Sequence, residues 1–181
     1  MRHLPNLICL LRIALIWPVV LAIAEGAYPR ALLWFFIAAA SDGVDGFLAK
    51  RFHWTSELGK FLDPAADKLL LLGVFLAATW YGLIPSALTG IVIARDVMIA
   101  LGALIYLLAF GPLHGRPLWS SKLNTLVQVL YVLAVVAHAG YGMPALRVLQ
   151  SLAALMLLTV LVSGYVYASL FTRRALTAEH A

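Results

Sequence analysis

Long apolar blocks follow one another from end to end of this chain, separated by short clusters of glycine, proline and aromatic residues. A helix needs about 20 apolar residues to cross the hydrocarbon core of a bilayer, and the blocks meet that length. They predict helical spans over 7–25, 30–51, 62–82, 86–110, 122–140 and 146–171. Between them fall Glu25-Gly26-Ala27-Tyr28-Pro29, Tyr81-Gly82-Leu83-Ile84-Pro85, Gly111-Pro112 through Pro117, and Gly140-Tyr141-Gly142-Met143-Pro144, each carrying helix breakers. No linker, low-complexity tract or internal repeat interrupts the series. The expected architecture is all-α: a polytopic membrane protein of six transmembrane helices, forming a single domain over residues 1–181.

Composition strengthens this picture. Hydrophobic residues make up 64% of the 181 and charged residues only 12%, against about 25% charged in a soluble domain. The few lysines and arginines are unevenly placed. Arg2, Lys50, Arg51, Lys60, Arg116, Lys122, Arg173 and Arg174 lie at one set of span ends, and only Arg30 and Arg147 at the other. Cytoplasmic ends retain positive charge during insertion, so both termini should face the cytoplasm. The net charge of +5 is scattered over helix ends rather than gathered into a basic stripe. Anionic lipid headgroups therefore fit better than nucleic acid. Arg2, an apolar stretch and Ala22-Ile23-Ala24 imitate a secretory signal, but Arg12 interrupts the stretch, and retention as a first span is expected. Cys9 is alone and is read as structural.

The acidic residues are concentrated where they are most costly. Of eight, five (Asp42, Asp45, Asp63, Asp67 and Asp96) fall inside or at the edge of predicted spans. A carboxylate at mid-bilayer costs about 2.5–3.5 kcal/mol on insertion scales, so such residues face a partner and mark a functional path. Asp42 and Asp45 are three apart on the second span, and Asp63 and Asp67 four apart at the start of the third. Either spacing puts both side chains on one helix face. The segment Ala49 to Lys60 is expected to turn the chain at the cytoplasmic surface, so the two pairs should converge. Asp42 lies nine residues before Arg51, or about 13 Å along a helix, in a pocket open to the cytoplasm.

Four carboxylates in one low-dielectric pocket repel, and a pair of hard divalent cations with oxygen ligands neutralises them most simply. Magnesium or manganese fits the donor set. No cluster of His and Cys at ligand spacing supports zinc, haem or iron–sulfur chemistry; His3, His53, His114, His138 and His180 read as solvated surface. Gly43, Gly46 and Gly59 flank the aspartates and permit close approach of a helix or a ligand.

Read as a string, residues 42–67 are Asp42-x-x-Asp45-Gly46-x-x-Ala49-Lys50, eight residues, Gly59, three residues, Asp63, three residues, Asp67. This resembles the signature of the CDP-alcohol phosphatidyltransferases, a family of six-helix membrane enzymes. Lys50 departs from the family's usual Arg: it keeps the charge but loses the planar fork that grips phosphate, and Arg51 follows it. Pro5-Asn6 with Arg12, Ala94-Arg95-Asp96 and Ser121-Lys122-Leu123-Asn124-Thr125 extend the likeness along the chain.

The resemblance implies that Asp42, Asp45, Asp63 and Asp67 hold two metal ions. It implies that Asp42, Asp45, Gly46, Ala49, Lys50, Gly59 and Asp63 embrace the headgroup of CDP-diacylglycerol, and that Asp67 also acts as base. A homodimer is implied in the same way, and a bacterial inner membrane, with the site facing the cytoplasm, is the expected location. The chemistry asks for these parts, because neutralised pyrophosphate oxygens let a hydroxyl reach phosphorus and let CMP leave.

Two branches of the family fit. One is cardiolipin synthase, whose acceptor is phosphatidylglycerol; the other is phosphatidylglycerophosphate synthase, whose acceptor is glycerol 3-phosphate. The segment Leu83-Ile84-Pro85 to Met98 and the stretch Ser121 to Thr125 resemble the first. The second more often carries a lysine at the position of Asn124, which a phosphomonoester dianion would use. Candidate acceptor-binding residues are Arg95, Arg116, Lys122 and Asn124, although Arg116 and Lys122 serve equally to set orientation. Asp96 points about 100° away from Arg95 around a helix, so the expected partner of Arg95 is a substrate phosphate or a motif aspartate. A transporter would also bury carboxylates, but its ionisable path should cross the bilayer, and Leu70 to Thr79 offers no relay.

Overall fold

The computed structural model describes the backbone of residues 4–52, 57–111 and 119–178, and the side chains of residues 10–41, 66–109, 111, 119–170 and 172. Every regular element among them is an α-helix: α1 (Leu4–Ala24), α2 (Tyr28–Phe52), α3 (Glu57–Trp80), α4 (Ser86–Phe110), α5 (Trp119–Tyr141) and α6 (Leu146–Ala178). Each predicted span falls on one helix, and α4 has the predicted bounds. The main differences lie at polar ends. Helix α3 starts at Glu57 rather than 62, α5 at Trp119 rather than 122, and α6 continues to Ala178 beyond 171. Hydropathy marks the apolar part of a helix, whereas backbone hydrogen bonding continues through residues such as Glu57, Lys60, Ser120 and Lys122. For the same reason Ala49 to Lys60 is not a simple turn: α2 runs through Phe52 and α3 resumes at Glu57.

Glycine ends two of the helices by the same device. After α1 the N–H of Gly26 bonds to Ile23 O at 3.1 Å and that of Ala27 to Ala22 O at 2.8 Å. After α3, Gly82 reaches Thr79 O at 3.0 Å and Leu83 reaches Ala78 O at 2.7 Å. This six-to-one and five-to-two pairing requires a left-handed residue, and Gly26 (φ 68°) and Gly82 (φ 74°) supply it.

Proximity along the backbone divides the chain into two compact units. The first comprises Met1–Ile84 with Val132–Leu146. Within it α1 packs on both α2 and α3. Its buried residues Arg12, Leu15, Val19, Ala22 and Ile23 recur at helical spacing on one stripe. Buried on α3 are Ala66, Leu70, Val74 and Ala78, and Gly73 lets α1 approach, since a Cβ there would lie 2.8 Å from Ile16 Cγ2. His138 does not sit at a solvated surface as expected. Its ring is half-buried, with Nδ1 2.8 Å from Pro144 O, tying the last turn of α5 to the chain beyond it. The other four histidines lie outside the described residues.

The second unit comprises Pro85–Tyr131 with Arg147–Ala181. Its buried apolar residues include Val92, Val127, Met156 and Val160, and among them run buried polar groups: Arg95, Asn124, Gln128, Thr159 and Ser163. Large apolar side chains are exposed along α4 and α6, among them Leu104, Ile105, Leu108, Leu158 and Leu161. Among the described residues, Ser86–Ala109, Trp119–Tyr141 and Leu146–Leu170 are long and apolar enough to cross a membrane, and the apolar run Leu10–Ala24 is shorter. Apolar patches of this extent suit lipid contact rather than water.

Candidate active site

The aspartate motif is divided between two helices that both pack on α1. Asp42, Asp45, Gly46, Ala49 and Lys50 lie on α2, and Gly59, Asp63 and Asp67 on α3. Of these, only Asp67 has a described side chain; those of the other seven, and Arg116 entirely, lie outside the described residues.

Asp67 follows the fully buried Ala66 and precedes the buried Leu70 by one turn, at the edge of the face that α3 turns to α1. Its Oδ1 accepts a hydrogen bond from Arg12 Nη1 at 2.5 Å, a link between residues 55 apart in sequence. The partners differ in access: the Arg12 side chain is 0% exposed and that of Asp67 36%. A buried guanidinium needs an anion, because removing one partner of a buried pair costs about 3–5 kcal/mol. A carboxylate has about four lone-pair positions, so an arginine on Oδ1 is compatible with a cation ligand or a proton acceptor at the same group. Carboxylate oxygens are the donor type that hard divalent cations select. Among the described residues there is no group of three His, Cys, Asp or Glu side chains placed to hold a metal.

Sequence reasoning missed Arg12 as the partner of Asp67. The sign was available, since a cation interrupting an apolar span is costly without an anion, but spacing along the chain could not say which anion.

In the second unit Arg95 is 6% exposed and is the centre of a polar cluster. Its Nη1 donates to Asp96 Oδ1 at 2.6 Å, and its Nη2 donates to Ser121 Oγ at 3.3 Å and to Ser163 Oγ. The guanidinium lies 6.0 Å from the centre of the Tyr167 ring. This corrects the expectation that Asp96 is a poor partner. The rotation of about 100° between neighbours separates Cβ directions, but an arginine has enough rotatable bonds to bring its tip sideways to the adjacent carboxylate. One helix turn into α5 beyond Ser120, Asn124 Oδ1 accepts from Thr159 Oγ1 at 3.1 Å. Asn124 Nδ2 and, a further turn on, Gln128 Nε2 are buried amide nitrogens with no hydrogen-bond partner among the described residues. Gln128 gives no signal in the sequence, because a lone glutamine in an apolar helix carries no motif. Lys122 is exposed, with Nζ 5.9 Å from the Trp119 ring. Of the four candidate acceptor residues, Arg95 and Asn124 thus fall in one buried seam, whereas Lys122 stands outside it.

The described elements are thus helical throughout, carry the aspartate motif on two successive helices and bind its last member to a buried arginine. The sequence profile of CDP-alcohol phosphatidyltransferases matches residues 2–171, and the chain belongs to that family. Cardiolipin synthase (CMP-forming) of Rattus norvegicus is 34% identical over 181 aligned residues, covering 91% of this chain and 60% of the relative. The protein of that name from Homo sapiens is 33% identical with the same coverage. CDP-diacylglycerol–glycerol-3-phosphate 3-phosphatidyltransferase of Bacillus subtilis is 31% identical over 154 residues, 76% of this chain and 78% of the relative. The chain therefore spans about three-fifths of the length of these two cardiolipin synthases.

Proposed function

We propose that the protein transfers a phosphatidyl group from CDP-diacylglycerol to the hydroxyl of phosphatidylglycerol, giving cardiolipin and CMP. The observation that carries the reading is the accessible Asp67 carboxylate, fixed by a buried arginine within a motif of four aspartates. Family membership and the two cardiolipin synthases support the choice of reaction. The neutral Asn124 supports a phosphodiester acceptor over a phosphomonoester dianion, which gains more from an added cation.

In this reading Asp42, Asp45, Gly46, Ala49, Lys50, Gly59 and Asp63 bind the CDP headgroup. Lys50 offers a point charge to the pyrophosphate. The acceptor hydroxyl oxygen forms a bond to the phosphatidyl phosphorus, the bond from that phosphorus to the CMP oxygen breaks, and the hydroxyl proton passes to the Asp67 carboxylate. Two divalent cations, Mg2+ or Mn2+, held by Asp42, Asp45, Asp63 and Asp67, would screen the negative oxygens through which attack and departure occur. Arg95 and Asn124, with Arg116 and Lys122, bind the acceptor. The chain acts as a single membrane domain over 1–181, with six spans, both termini and the site on the cytoplasmic side of a bacterial inner membrane, and pairs as a homodimer.

The second reading is phosphatidylglycerophosphate synthesis from glycerol 3-phosphate, favoured by the fuller coverage of the Bacillus subtilis relative. Purified protein with Mg2+ or Mn2+ and CDP-diacylglycerol, offered each acceptor separately, decides between them. CMP release with phosphatidylglycerol supports the first, and release with glycerol 3-phosphate alone supports the second. Solute flux without CMP would instead indicate a transporter.

A further inference from the structure

The Arg12–Asp67 pair bears on how the site is set, and its part in the chemistry rests on the reading of Asp67 as base. We propose that Arg12 is a positioning residue, whose buried guanidinium holds the Asp67 carboxylate in the orientation that receives the acceptor's proton.

The two side chains differ in exposure: Arg12 is 0% exposed, and Asp67 is 36% exposed. A fully enclosed side chain has its position determined by packing, whereas a partly open carboxylate has several rotamers available to it. The buried member therefore fixes the open one. Arg12 itself is fixed by its helix. It lies on the α1 stripe that continues through Leu15, Val19 and Ile23, all buried. One turn further along α1, Ile16 meets Gly73 so closely that a Cβ there would come within 2.8 Å. The separation of α1 and α3 is thus set close to the pair, and the arginine tip reaches Oδ1 at 2.5 Å from a rigid base.

Position matters because a general base must lie about 2.6–3.2 Å from the atom whose proton it takes. A misplacement of about 1 Å costs on the order of 100-fold in rate. The alternative role for the pair is to fasten α1 to α3 without consequence for the chemistry. In that case variants at Arg12 would change stability and leave the turnover of the folded fraction alone.

The test uses the full chain purified in detergent or nanodiscs. CMP release from CDP-diacylglycerol is measured with the acceptor that the wild type uses, alongside thermal melting. Arg12→Lys keeps the charge but offers a point donor in place of the guanidinium fork. It is expected to keep KM for both lipids within about threefold while kcat falls roughly 10- to 100-fold. A second variant pair guards against misfolding. Asp67→Asn retains an oxygen acceptor for Arg12, and Arg12→Met with Asp67→Asn removes both charges of the pair together, which is milder than removing one. If Arg12 acts through Asp67, adding Arg12→Met to Asp67→Asn lowers the residual rate of folded protein by less than about twofold.

Wild-type kcat in folded Arg12→Lys, or independent losses that multiply in the double variant, would overturn the positioning role. Should Arg12→Lys not fold, the double variant compared with Asp67→Asn decides between positioning and fastening. Wild-type turnover in Asp67→Asn is a different result: it removes the base reading itself, whatever the Arg12 variants do.

Discussion

Replacing Arg95 with methionine removes a guanidinium that is only 6% exposed, along with its hydrogen bonds to Asp96, Ser121 and Ser163. Breaking one partner out of a buried ion pair costs about 3–5 kcal/mol, since the remaining charge loses its closest counter-charge. The Asp96 side chain is 29% exposed, so water can reach part of it and the lower end of that range, about 3 kcal/mol, is the better figure. The two serine oxygens each lose a donor, a small cost beside that of the carboxylate, because a hydroxyl keeps its own O–H to donate. For a chain of this length about 1 kcal/mol corresponds to roughly 2–4 °C, so the melting temperature should fall by about 6–12 °C. Arg95→Met with Asp96→Asn removes both charges and should recover at least half of that loss. Thermal melting of the purified protein in detergent, followed by intrinsic fluorescence, reads both numbers. A single variant melting within about 2 °C of wild type, or a double variant no better than the single one, would refute the view of Arg95 as a buried cation neutralised by its neighbour.

Two further expectations concern packing and polarity. Gly73→Ala places a methyl 2.8 Å from Ile16 Cγ2 and should destabilise by about 1–3 kcal/mol, whereas Gly90→Ala meets nothing within 4 Å and should be neutral or stabilising by up to about 1 kcal/mol from helix propensity; equal melting temperatures for the pair would contradict the close approach of α1 and α3. Gln128→Met removes a buried amide nitrogen that has no partner and should raise stability by about 1–3 kcal/mol, a gain read as a higher melting temperature, while a fall would mean that the amide is satisfied in the membrane.

The number of helices was legible because breakers and apolar blocks alternate clearly: Pro29, Gly82, Pro85, Gly111 and Pro144 all fall at or beside helix ends. The ends themselves were less legible where polar residues continue a helix, as at Glu57 and Ser120. Charge placement told that Arg95 needs an anion, and the same signal at Arg12 went unread; the partners of both depend on side-chain reach and on which helices pack together. One partner proved to be 55 residues away and the other adjacent. Only the second could have been proposed from the sequence, and the direction of Cβ alone argued against it. Polar pairing within the second unit, such as Asn124 with Thr159, was likewise invisible because no spacing rule links residues on different helices. The aspartate motif stood out for the opposite reason, being local, dense in charge and set in an apolar stretch that would otherwise reject it.

The central claim, that an aspartate-held site performs phosphatidyl transfer, is tested most directly by acceptor-dependent CMP formation. Purified protein with Mg2+ or Mn2+ and CDP-diacylglycerol should release CMP when phosphatidylglycerol is added, and form cardiolipin in equal amount. Asp67→Asn should reduce that release by at least about 100-fold, as expected for loss of a proton acceptor. No CMP from the wild type with either phosphatidylglycerol or glycerol 3-phosphate, or undiminished CMP from Asp67→Asn, would contradict it.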